Sequence, residues 1–209
     1  MRDRIVARGA DAGFAIVQVV AALGLVMAVL GIGLGGRSQS LANVQGDTSL
    51  DIVLWQLKLA RESAINQRRA VEVQFTTPNF MTVRRHEIPK GTTVISTAVL
   101  EHGSEFHLFP TMPDTPDGYG RRTAIDFGGV AVVLFTAAGQ VTNPAGNLLN
   151  GTIFVGQPGK PLTARALTVS GRTAAIRTFT WNGSAWSRQD GTRARARTNV
   201  GDQKIARIR

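Results

Sequence analysis

Gly13-Phe14-Ala15-Ile16-Val17-Gln18 opens the stretch on which the reading of this chain turns, because the apolar run Val19 through Leu34 follows it directly. Met1 to Gly13 is a short charged leader, and Phe14 then begins roughly twenty residues without a formal charge. As a helix, residues 14–34 are about 31 Å long at 1.5 Å rise per residue, which matches a bilayer's hydrocarbon core. Arg2, Arg4 and Arg8 precede the run and favour a cytoplasmic N-terminus. Arg37 opposes them weakly, and Asp3 and Asp11 count for little in that rule. One plain reading is a cleaved secretory signal, with Ser40-Leu41-Ala42 as a small-residue site before Asn43; the run is longer than a usual signal core, which counts against it. The other is the uncleaved anchor of a single-pass protein.

Beyond the run lie roughly 170 residues, enough for one domain with a real core. The chain has no cysteine, which excludes a disulfide framework, a thiolate metal site and a cysteine nucleophile. Glycine is abundant, aromatics are few, and β-branched residues recur in short bursts between turn residues, a mixture that predicts strands and loops. The formal charge is +10 and is uneven: Arg188 to Arg209 holds seven Arg/Lys against Asp190 and Asp202. Such a basic segment attracts nucleic acid and anionic lipid through the same long-range field, and reads first as a solvated, disordered end.

After the apolar run, Gly31, Gly33, Gly35 and Gly36 predict a bend or local melting, and Ser38 and Ser40 a polar exit. Helical periodicity then resumes. Leu50, Val53, Leu54, Leu57, Ala60 and Ala64 fall on one side, and Asp51, Lys58 and Glu62 on the other. Asp47 or Thr48 is positioned to cap a restart after Gly46. Trp55 and Leu59 are expected to pack against the sheet. From Val71 the period becomes two: Val71, Val73 and Phe75 alternate with Glu72 and Gln74, and Thr77-Pro78-Asn79 ends the strand. Further strands are predicted over residues 80–85, 93–99, 105–109, 131–135, 138–142, 151–156, 166–169 and 176–181. The last pairs through Asn182-Gly183, a strong hairpin signal, with Ala185-Trp186. Residues 110–121 carry Pro110, Pro113 and Pro116 with several glycines and are predicted to be irregular.

Two stretches together carry a resemblance. Gly13-Phe14 before a long apolar helix resembles the prepilin signal. Leu57-Lys58-Leu59-Ala60-Arg61-Glu62-Ser63-Ala64-Ile65, running on to Val73, is similar to the helix-to-first-strand segment of the GspH/FimT family of type II secretion pseudopilins and type IV minor pilins. That segment has the form L-A-R-S-E-A-I; Glu62 and Ser63 stand here in swapped order. The resemblance covers residues 13 to about 75 well and the C-terminal half more loosely, through Gly139-Gln140-Val141 and Val169-Ser170-Gly171-Arg172-Thr173-Ala174, with 143–150 resembling an inserted loop.

The resemblance implies an α+β, pilin-like fold: a long N-terminal helix, half membrane-spanning and half amphipathic, packed on a β-sandwich-like antiparallel domain. It divides the chain into a prepilin leader (1–13), a transmembrane helix (14–36), an amphipathic helix (37–70), a periplasmic β-rich domain (71–187) and a basic tail (188–209). A prepilin peptidase would cut between Gly13 and Phe14 and methylate Phe14. The protein would sit in the bacterial inner membrane, N-terminus in the cytoplasm, and join a pseudopilus or pilus. Its implied partners are other pseudopilins or pilins, the peptidase and an inner-membrane assembly platform. The fifth mature residue, usually a glutamate that pairs with a neighbour's amine, is Gln18, which costs less at membrane depth but supplies no charge partner. Some FimT-type members are linked to DNA uptake through a G-R-x-R turn; here Arg172 matches and Ala174 replaces the second arginine. Arg193, Arg195 and Arg197 are candidate substitutes, sharing one side only if extended.

The residues offer no active site. His86, His102 and His107 have no helical ligand spacing and no marked third ligand. No serine sits in a G-x-S-x-G context, and the glycine-rich segments lack the lysine and serine of a phosphate loop. Asp114, Asp117 and Asp126 could be called paired acids, but the first two sit in a Pro/Gly loop where solvation is expected. Neither an enzyme nor a cofactor or metal protein is indicated. The competing functions are an assembly subunit, a DNA-binding minor pilin, and a membrane-anchored periplasmic hydrolase or ligand-binding domain unrelated to pili.

Overall fold

Leu50, Val53, Leu57, Ala60 and Ala64 lie at helical spacing, and all five are buried along one face of a helix. The computed structural model describes residues 18–24 and 37–189, with side chains from residue 41 onward in the second stretch. The leader with Gly13 and Phe14, most of the apolar run, and the tail beyond Gln189 lie outside the described residues. Residues 18–24 are helical (α1) and exposed, including Val19, Val20 and Leu23. Among the described residues no helix is long and apolar enough to cross a membrane.

Helix α2 runs unbroken over Arg37–Gln67, so the expected restart after Gly46 does not occur. Eleven strands follow among the described residues: β1 (Val71–Thr76), β2 (Phe80–His86), β3 (Thr92–Val99), β4 (Glu105–Phe106), β5 (Ile125–Asp126), β6 (Val132–Phe135), β7 (Val141–Thr142), β8 (Gly151–Gly156), β9 (Arg165–Val169), β10 (Ile176–Trp181) and β11 (Trp186–Arg188). They form two antiparallel sheets, one in the order β3-β2-β1-β6-β7 and the other β11-β10-β9-β8-β4, with β5 also on β8. The chain is therefore α+β with antiparallel sheets. Strand 105–109 is shorter than expected, and Ile125–Asp126 was not foreseen.

One core lies between α2 and the two sheets. Val71, Val73, Met81, Val83, Val133 and Phe135 meet the buried face of α2 together with Ile153, Val155, Leu167 and Val169. The opposite side chains of β8 and β9, Phe154 and Ala166, enter a second core with Phe109, Met112, Phe179, Trp181 and Trp186. Both faces of β8 and β9 are thus covered, which is why Gly151–Gly156 is buried throughout. The loop 110–121 closes this second core: Trp186 Nε1 donates to Pro113 O at 2.9 Å, and Arg121 Nη2 to Pro110 O at 2.8 Å.

Candidate helix-face site

The second sheet holds α2 in place through a buried arginine. Arg165, 1 % exposed, donates from Nε to Asp47 Oδ1 at 2.8 Å, from Nη2 to Asn43 O at 3.0 Å, and from Nη1 to Leu162 O and Ala164 O. A guanidinium so enclosed is tolerable only because a carboxylate and three carbonyls meet its donors. Gln157 Nε2 adds bonds to Gln45 Oε1 at 2.8 Å and His102 O at 2.7 Å. Gly46 lies between these tethers, where a Cβ would stand 2.5 Å from Thr163 O and 2.9 Å from Arg165 Cζ. Glycine is there for close approach of the helix, not to break it.

The side of α2 turned away from this core is the candidate site. Trp55 is 58 % exposed and Val44 60 %, while Asp51, Lys58 and Glu62 are also exposed. The expectation that Trp55 packs against the sheet is overturned, and Leu59 is only half-buried. Beside Trp55 runs a groove of about 580 Å³ between α2 and the edge strand β3. Thr48, Asp51, Ile52 and Gln56 line it from the helix, and Ala98, Val99 and Glu101 from the strand side. Gln56 Nε2 donates to Ser96 Oγ at 3.0 Å, tying helix to edge strand. Gln56 Oε1 is buried with no donor among the described residues. Val94 and Val99 add exposed apolar surface on β3, whose outer edge carries no partner strand in the described sheet.

The other sequence-singled residues are scattered. Gln18 is exposed on α1, and Gly13, Phe14, Arg193, Arg195 and Arg197 lie outside the described residues. Arg172 is exposed, but Ala174 is 1 % exposed in the main core with φ of 46°, so this turn presents one arginine and hides the next position. Gly171 is buried against the backbone of Leu149 and donates its N–H to Asn150 Oδ1 at 2.8 Å. His86 Nε2 lies 3.1 Å from Glu72 Oε2, while His107 packs edge-on to Phe109. Among the described residues no three His, Asp or Glu are grouped to hold a metal.

The loop carboxylates are not solvated as expected. Asp117 pairs with Arg177 Nη1 at 2.6 Å and accepts from Thr168 Oγ1. Asp114 accepts from the N–H groups of Thr115 and Gly120, and buried Asp126 from those of Arg122 and Gly128. Asp114 and Asp126 staple irregular backbone, and Asp117 ties the loop to side chains of β9 and β10. At the far end of α2, Glu87 accepts from Arg85 Nε at 2.7 Å and Arg69 Nη1 at 2.7 Å. The Arg85 hydrogen bond, helped by one from Thr93, holds the Glu87 carboxyl below the usual glutamate value.

No family's sequence model matches this chain. No curated protein matches it significantly. Among solved structures it is similar to the type IV minor pilin FimU of Pseudomonas aeruginosa, with TM-score 0.45 and 16 % identity over 69 % of this chain and 93 % of that one. It is also similar to the minor pseudopilin EpsH of the Vibrio cholerae type 2 secretion system, with TM-score 0.43 and 15 % identity over 64 % of this chain and 96 % of that one. A second crystal form of FimU gives TM-score 0.39 and 18 % identity, covering 67 % and 90 %.

Proposed function

We propose that this chain is a minor pilin or pseudopilin subunit whose work is assembly rather than catalysis. In this reading a prepilin peptidase cuts between Gly13 and Phe14 and methylates Phe14. The apolar run then holds the subunit in the inner membrane, with the β-rich domain in the periplasm. The observation that supports it most is the division of α2 into two faces. One face is locked on the sheets by Arg165, Gln157 and Gly46. The other leaves Val44 and Trp55 outward on the same helix that follows the Gly13-Phe14 signal. Large aromatic side chains left on a rigid surface are the usual anchors of protein contacts. Neighbouring subunits would meet this face, while Gln18 would give a neutral contact inside the membrane in place of a charge pair.

The deciding experiment is an intact-mass and N-terminal reading of the protein from membranes of a host with its prepilin peptidase. A chain that starts at Phe14 with one added methyl group is the expected result. A start at Met1, or near Asn43, would overturn the reading and return the chain to the anchored or secreted alternatives.

A further inference from the structure

The groove beside Trp55 is formed to take an apolar knob with a cation next to it. Ile52, Trp55, Ala98 and Val99 give it apolar walls, and Trp55 and Val99 stand open to solvent. Glu101 lines the same groove with its side chain 63 % exposed. A carboxylate beside an apolar cleft with an open indole favours a partner that brings an aliphatic side chain and a positive charge together.

The hairpin between β2 and β3 carries such a knob. Ile88, 75 % exposed, is the most exposed large apolar side chain among the described residues, and Pro89 and Lys90 beside it are exposed as well. The turn is held firmly at its base. The Glu87 N–H donates to Gly91 O at 2.9 Å, and the Glu87 carboxylate accepts from Arg69 and Arg85 at 2.7 Å each. Arg85 Nη1 also donates to Gln67 Oε1 at 2.6 Å, which fixes the hairpin to the end of α2. Lys90, Arg69 and Arg85 outweigh Glu87, so the knob is positive where the groove is negative.

A chain cannot fill its own groove. Thr92 at the knob end of β3 and Val99 at the groove end are about 23 Å apart at the strand rise. On the helix side, Ile52 in the groove and Gln67 under the knob are about 22 Å apart. We infer that the Ile88-Pro89-Lys90 knob of one copy seats in the groove beside Trp55 of a second copy, with Ile88 against the indole and Val99, and Lys90 toward Glu101. The contact joins two different surfaces, so each copy added brings a fresh knob and a fresh groove, and copies add in a row rather than closing as a two-fold dimer. With their α2 helices parallel, successive copies step by about 22 Å. This deepens the assembly reading and rests on it for its setting, since it names the parts of two subunits that meet. The contact can fail while cleavage at Gly13 holds, and the two are measured separately.

The absence of cysteine makes the test clean. Full chain carrying Thr92→Cys is mixed in detergent with full chain carrying Val99→Cys and treated with a short bis-maleimide; Ser184→Cys, at the exposed tip of the last hairpin, replaces Thr92→Cys as the control. The mixture should give a dimer with one chain of each kind, and a chain carrying both cysteines should give a ladder of higher species. Either single variant alone, and the control mixture, should stay uncross-linked. Glu101→Lys in the groove chain turns an attractive pair repulsive and should lower the yield about tenfold, and Lys90→Glu in the knob chain should restore it. Ile88→Asp, at an exposed tip, should abolish the cross-link while leaving Tm unchanged. Equal yields from like and unlike pairs, a control as productive as the knob, or a charge swap without rescue would overturn the inference. Acrylamide quenching gives an independent reading, since Trp181 and Trp186 are buried and Trp55 is not. Quenching should fall as the protein is concentrated, and Ile88→Asp should remove that dependence. Quenching indifferent to concentration, or a groove covered only when a different subunit is supplied, would also overturn it.

Discussion

Gly46→Ala is the substitution at which two physical effects make opposite demands. In an exposed helix interior, alanine is favoured over glycine by about 1 kcal/mol, and Gly46 lies in the middle of the unbroken α2. Here, however, the new Cβ would stand 2.5 Å from Thr163 O, against an ordinary contact of 3.4 Å or more. Relieving that overlap moves the helix about 0.9 Å from the second sheet, unless Thr163 and its neighbours yield. The displacement pulls Asp47 from a guanidinium held at 2.8 Å and Gln45 from Gln157 at 2.8 Å. Overpacking of this kind costs about 3 kcal/mol, and the propensity gain returns about 1, leaving a net loss of about 2 kcal/mol. For a domain of this size that is a fall in Tm of about 4–8 °C. Urea unfolding followed by Trp181 and Trp186 fluorescence measures it directly. A midpoint that rises, as helix propensity alone demands, would refute the close-approach account of Gly46.

The same residue shows where the sequence is legible and where it is not. A glycine between Gln45 and Asp47 reads locally as a helix break with a cap beyond it. Its actual neighbour is a carbonyl more than a hundred residues away in sequence, at Thr163. Arg165 is hidden for the same reason: Ala164-Arg165-Ala166 gives no sign that the arginine is buried, because its partner Asp47 is 118 residues distant. Strands with strong local patterns were readable. Residues 151–156 and 176–181 have the bounds that their apolar runs and the Asn182-Gly183 turn predict. Ile125–Asp126 was not readable, since two residues carry no period and β8 alone supplies their pairing.

Trp55 was legible but misread. It is two residues from both Val53 and Leu57, about 200° round the helix from each, so the wheel that buries those two turns Trp55 outward. Reading it by residue type, as a large apolar side chain, overrode the geometry. Nor were the groove's acceptor and rim visible beforehand, because Gln56 and Glu101 come together only when β3 closes on α2.

Asp47→Ala strands the Arg165 guanidinium in the interior with only carbonyl partners and should cost about 3 kcal/mol in urea unfolding; a loss below about 1 would show that Asp47 is dispensable to Arg165. Glu87 has a folded-state pKa below its unfolded one, so its contribution is present above the usual glutamate value and is lost as pH falls through the lowered value. The stability gap between wild type and Glu87→Gln should therefore close on acidification, and a gap that persists in strong acid would contradict the pairing with Arg85. Ala174→Arg tests whether the turn after Gly171 can be completed into a two-arginine surface. Ala174 is 1 % exposed among core side chains and its φ is 46°, whereas Arg172 two residues earlier is exposed. An arginine at 174 must either bury an unpaired guanidinium or force the turn off the core. Either way the expected loss is about 3 kcal/mol or more. Nucleic-acid affinity should not rise in the folded protein, because the charge is gained only by breaking the turn that would present it. Thermal unfolding alongside salt-dependent binding to duplex DNA measures both quantities. A variant with unchanged Tm and tighter, salt-sensitive binding would place residue 174 at the surface and overturn the geometry of this turn.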